Sequence, residues 1–86
     1  MTFDELKEIL YKENIDPFMY DICDRGRVKG YDGYVIKESK QGYDLLYMER
    51  GQYSFVAWFS NQHEMCIAFL KEFIRNGNIQ LLKYIQ

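Results

Sequence analysis

The chain predicts an α+β fold: an N-terminal helix, a three-stranded antiparallel meander, a C-terminal helix packed on the sheet and a short tail, in a single domain spanning residues 1–86. Three observations carry this. Apolar residues recur with a helical period near both ends, at Phe3, Leu6, Ile9 and Leu10 and again at Cys66, Phe69, Leu70, Phe73 and Ile74. Between them lie short β-branched and aromatic runs separated by turn residues. A chain of 86 residues has room for one core, and its aromatic content of 17% supplies large side chains to fill it.

The first helix is expected from about Phe3 to Glu13. Thr2 and Glu5 form a capping box, in which the threonine hydroxyl accepts from the N3 amide and the glutamate reaches back to the Thr2 amide. Its wet side carries Asp4, Lys7, Glu8 and Lys12, with Glu8 and Lys12 a favourable i,i+4 pair. Asp16-Pro17 then opens a short helical turn whose Phe18, Met19 and Ile22 are expected in the core. The stretch DRGRVKGYDG, from Asp24 to Gly33, is loop. Its glycines match neither a phosphate-binding loop nor a dinucleotide fingerprint, and no helix follows directly, which disfavours a phosphate site at Arg25, Arg27 and Lys29.

Strands are expected over Tyr34–Glu38, Tyr43–Glu49 and Tyr53–Phe59, with Ser39 to Gly42 as the first turn. A type II′ turn with Gly51-Gln52 as its loop would place Arg50 opposite Tyr53, Met48 opposite Phe55 and Leu46 opposite Ala57. That side, with Phe59, is the better candidate for the helix-covered core. The other side carries Tyr43, Leu45, Tyr47, Val56 and Trp58, whose ring tips tolerate water. A three-residue loop would change these partners. The second helix, capped by Ser60, should run from about Asn61 to Arg75 and stop at Asn76-Gly77. In residues 78–86, Ile79, Leu82 and Ile85 fit a short helix better than an edge strand.

Charge narrows the functional classes. Residues 1–24 hold seven acids against Lys7 and Lys12, a net of −5, and the remainder nets +3, so a polyphosphate backbone would be repelled by one part and weakly held by the other. Nucleic-acid binding is therefore disfavoured. The longest apolar run, Met65 to Leu70, is far short of the ~20 residues of a membrane span. Two cysteines make no disulfide framework, and the N-terminus has no secretory pattern, so the expectation is a cytoplasmic protein with reduced thiols.

No catalytic constellation is visible, and no cofactor is implied. His63 and Cys66 have a helical i,i+3 spacing, yet zinc wants three or four ligands, and the chain has one histidine and two cysteines. Cys66 belongs to the apolar stripe, where burial makes a thiol inert, and the carboxylates of Asp21 and Asp24 disfavour a thiolate at Cys23. Asp21, Asp24 and Asp32 flank one loop, as solvated surface or as a contact for a basic partner. Tyr47 and Trp58 are candidate apolar anchors for a protein partner, because such residues dominate interface hot spots.

The run from Gly42 to Leu70 resembles small bacterial immunity proteins, the antitoxin partners of polymorphic or LXG-type secreted toxins. The likeness is carried by an aromatic-rich strand ending in Glu49-Arg50-Gly51, a strand closing with Phe59-Ser60, and a helix with Glu64, Cys66 and Phe69. The N-terminal FDELKEIL followed by a proline turn is similar as well. The resemblance implies a non-catalytic protein that binds its cognate toxin in the producing cell and blocks its active site or target surface. The expected function is therefore toxin neutralisation, with partner-binding residues Asp21, Asp24, Asp32, Tyr47 and Trp58. The alternatives are a structural or regulatory module that forms a homodimer through the side of Tyr47 and Trp58, and a small enzyme with a pocket lined by His63 or Cys23.

Overall fold

Thr2 accepts from the Glu5 amide while the Glu5 carboxylate accepts from the Thr2 amide, so the capping box starts helix α1, Phe3–Lys12. The computed structural model describes residues 1–23 and 32–86. α1 buries Leu6 and Leu10, and Asn14 ends it in the left-handed region at φ 59°, where the following Ile15 amide caps the Leu10 carbonyl. Asp16 then caps a 3-10 turn over Pro17–Met19, accepting from the Phe18 amide. Phe18 and Met19 are exposed, against expectation, because the turn lifts them from the core and leads straight into a strand.

That strand, β1 (Tyr20–Ile22), was not expected. It pairs in parallel with β2 (Gly33–Ser39), which runs antiparallel to β3 (Gly42–Glu49), which in turn runs antiparallel to β4 (Gln52–Phe59). Among the described residues the sheet therefore has four strands in the order β1-β2-β3-β4, and the predicted meander forms its last three.

The β3–β4 turn is one residue earlier than expected. Arg50 and Gly51 form the loop with φ of 52° and 78°, the type I′ pattern that matches strand twist. Glu49 thus pairs with Gln52, Met48 with Tyr53 and Leu46 with Phe55. Beyond Phe55 a bulge intervenes: Leu45 pairs with Ala57, and Val56 is the extra residue. Paired residues share a face, so Tyr43, Leu45 and Tyr47 lie on one side with Tyr34 and Ile36 of β2, and Asp44, Leu46 and Met48 lie on the other.

The helices cover the first of these sides. α2 (Gln62–Arg75) takes Asn61 as its N-cap, not Ser60; the Asn61 side chain accepts from the Glu64 amide. Its Met65, Cys66, Phe69, Leu70 and Phe73 are buried in one cluster with Leu6 and Leu10 of α1 and with Tyr20, Ile22, Ile36 and Leu45 of the sheet. Each such side chain contributes roughly 1.5–3 kcal/mol relative to exposure. The expected core side is thus inverted along β3 and at Phe55: Leu45 is buried under α2, whereas Leu46 packs on the opposite face with Val35 and Met48; beyond the bulge Ala57 and Phe59 do lie on the α2 side, as expected. Both faces of β3 are apolar, so alternation alone left the choice open. The predicted helical tail is a 3-10 segment, Ile79–Tyr84, that buries Leu81. It is tied to α1 through Glu13, which accepts from the Tyr84 hydroxyl at 2.6 Å and pairs with Lys83 at 3.1 Å.

Candidate protein-binding surface

Among the described residues β4 is an edge of the sheet, and its composition makes that edge unusual. The strand QYSFVAWF holds no charged residue and no proline, the usual protections of an unpaired edge. Tyr53, Phe55 and Trp58 are 44, 65 and 45% exposed, and Val56 is exposed as well. The register places Tyr53, Phe55 and Trp58 on the face away from α2, opposite Met48, Leu46 and Asp44.

Backbone phase adds to this. The residues that close a two-residue loop exchange both hydrogen bonds, so Glu49–Gln52 is a bonded pair, and the pattern alternates from there. Tyr53 and Phe55 fall at the non-bonded positions, where amide and carbonyl point outward. The residues that expose aromatic rings on the far face therefore also present backbone groups along the open edge.

Neighbouring strands hold parts of this surface in place. Trp58 lies over Gly42, where an added Cβ would meet the indole at 2.6 Å and the Phe59 carbonyl oxygen at 2.5 Å, so the absence of a side chain at Gly42 gives the ring its seat. Lys37 extends across β3 to place its Nζ 4.1 Å from the centroid of the Tyr53 ring, a cation–π contact. At the turn, the Arg50 amide donates to Asp32 Oδ1 at 3.3 Å.

The sequence-predicted residues do not gather into one site. Trp58 is on the exposed aromatic surface, and Asp32 is exposed at the rim of the Arg50 turn. Asp21 is 1% exposed within β1, which removes it as a solvated charge; the missed strand is the reason. Asp24 lies outside the described residues, as do Arg25, Arg27 and Lys29. Tyr47 does not share a face with Trp58. It lies under α2, its ring 5.0 Å from that of Tyr34, and lines a cavity of about 270 Å³ with Met19, Phe73, Asn76 and Asn78. Burial first, then the carboxylates of Asp32 and Glu49, push the Tyr47 hydroxyl above its ordinary pKa. Phe55, the most exposed residue of the aromatic surface, was assigned by sequence to the core side; its apolar character gave no sign of the edge position.

Elsewhere the candidates for chemistry separate. Cys66 is fully buried, its thiol donates to the Thr2 carbonyl at 3.5 Å, and burial pushes its pKa to about 11. His63 is exposed on the first turn of α2. Among the described residues no group of three or more His, Cys, Asp and Glu side chains is placed to hold a metal ion. An open groove of about 700 Å³ between α1 and the Pro17 turn is lined by Glu8, Tyr11, Ile15, Asp16 and Tyr20. Also among these residues, no helix is long and apolar enough to cross a membrane.

No protein-family model, curated protein or solved structure matches this chain.

Proposed function

We propose that the chain is a toxin-neutralising immunity protein that acts by direct binding and without catalysis of its own. The observation that carries the binding part is the uncharged, aromatic edge of β4, where rings and backbone groups are offered together. A partner strand or loop laid there gains main-chain hydrogen bonds and aromatic contact area at once. Trp58 and Phe55 are the anchors in this reading, and Asp32 at the adjoining turn supplies charge complementarity to a basic partner. The toxin part rests on the resemblance of the Gly42 to Leu70 run to immunity proteins and on the acidic balance of residues 1–24.

The test begins with the genes beside this one. Purified protein should form a complex with a toxin encoded next to it and suppress that toxin's action, and Trp58→Asp should weaken the complex at least tenfold while leaving the helix content unchanged. Absence of any complex with the neighbouring toxin would sink the proposal. A second reading, a self-associating structural or regulatory module, draws on the same uncharged edge.

A further inference from the structure

We infer that the β4 edge is occupied by the β4 edge of a second copy of this chain, the two strands running antiparallel about a twofold axis at Ser54. The inference goes beyond the toxin reading and does not depend on it.

The strand itself selects the occupant and the register. An antiparallel pair of identical strands is symmetric by construction, so one surface can serve as both partners. The outward backbone groups are those of Tyr53 and Phe55. Placing Tyr53 of one copy opposite Phe55 of the other makes both of these hydrogen-bonded pairs, and Ser54 then faces Ser54 at the close, non-bonded position between them. A serine fits there, since its side chain is small. Across the axis, each exposed Tyr53 ring meets the exposed Phe55 ring of the other copy on the same face, an aromatic cross-strand pair.

Charge agrees with this pairing. β4 carries none, so two copies bring no like charges into the seam. The bulge at Val56 ends the regular ladder and confines the pairing to the segment from Gln52 to Val56. A seam so short predicts a dimer that dissociates on dilution. A toxin using the same edge would compete with the second copy.

The mass of the purified chain should be twice that of one copy at high concentration and fall to one copy on dilution. Phe55→Lys, which sets a charge in the seam on a side chain already exposed, should keep the chain folded and shift the dissociation constant at least tenfold upward. The register is tested separately, in a Cys23→Ser background. Ser54→Cys should crosslink into a disulfide dimer under mild oxidation, because facing non-bonded residues have Cα atoms about 4.5 Å apart, within disulfide reach. Gln52→Cys should not crosslink. A chain that stays monomeric at every concentration, or a dimer that Phe55→Lys leaves intact, would overturn the inference. So would crosslinking through Gln52→Cys in preference to Ser54→Cys. Because these measurements use the chain alone, their failure leaves the toxin-binding assay standing, and the reverse holds too.

Discussion

Helix α2 and strand β4 are adjacent in sequence and both rich in large apolar side chains, yet they meet opposite environments. α2 sets Met65, Cys66, Phe69, Leu70 and Phe73 against a sheet and a second helix, and all five are buried. Among the described residues β4 has a neighbour on one flank only, and Tyr53, Phe55, Val56 and Trp58 are exposed. Apolar content is the same kind of signal in both, so it states that a surface is fit to be covered without stating by what. In α2 the cover is the chain itself. Among the described residues nothing covers the outer edge and far face of β4, which is why the strand is the better place to look for function.

The largest effect that sharpens this contrast is expected on the covered side. Phe69→Ala removes a ring that packs on Tyr34 and Phe73, and should cost about 3–5 kcal/mol in a denaturant titration. Against a whole stability of about 5–15 kcal/mol that is enough to unfold much of the protein on mild heating. Gly42→Ala comes next, at about 1–3 kcal/mol, since the new methyl must displace both the Trp58 ring and the Phe59 carbonyl; a shifted Trp58 emission spectrum should accompany the loss.

A smaller loss, about 1–2 kcal/mol, is expected for Gly51→Ala. Nothing crowds that position, but its φ of 78° strains any side-chain-bearing residue. Circular dichroism during thermal melting would register it.

The tie between the tail and α1 gives a pH-dependent effect. The Tyr84 hydroxyl, followed by Lys83, holds the Glu13 carboxyl below its ordinary range. A carboxyl whose pKa is lowered on folding stabilises the fold above its unfolded value of ~4.3 and loses that contribution as pH falls through the lower folded value. Melting curves should therefore separate wild type from Glu13→Gln at neutral pH and bring them together in acid. The smallest effect should be that of Phe55→Ala, within about 0.5 kcal/mol at concentrations where the chain is monomeric. A loss comparable to that of Phe69→Ala would break the contrast between α2 and β4.

What the sequence made legible is what short-range physics decides. The capping box of Thr2 and Glu5, the Asp16-Pro17 turn and the apolar stripe of α2 are all local patterns, and each stands where it was expected. β1 escaped because its three residues are held by pairing with β2, a contact made across the chain that no local period encodes. The β3–β4 loop slipped by one position because Arg50 accepts a left-handed conformation that the glycine rule reserved for Gly51. The sheet side is inverted along β3 because both its faces are apolar, and the bulge, which sequence alternation cannot reveal, is what returns Ala57 and Phe59 to the α2 side. Of the candidate site residues, Trp58, expected as an anchor because indoles dominate interface hot spots, is exposed on the far face of β4. Tyr47 was misplaced with the sheet side, and Asp21 with the missing strand.

The bulge has a consequence for how the gene tolerates change. Loss of one codon inside a strand ordinarily throws every later side chain onto the wrong face. At Val56 it should not, because Phe55 already pairs with Leu46 and Ala57 with Leu45, the two consecutive partners across the seam. Removing Val56 would close a regular ladder and leave Trp58 outward and Phe59 inward, whereas removing Ser54 would disturb the pairs around it. The middle of the most exposed strand thus contains one residue that a deletion can take without disturbing the rest.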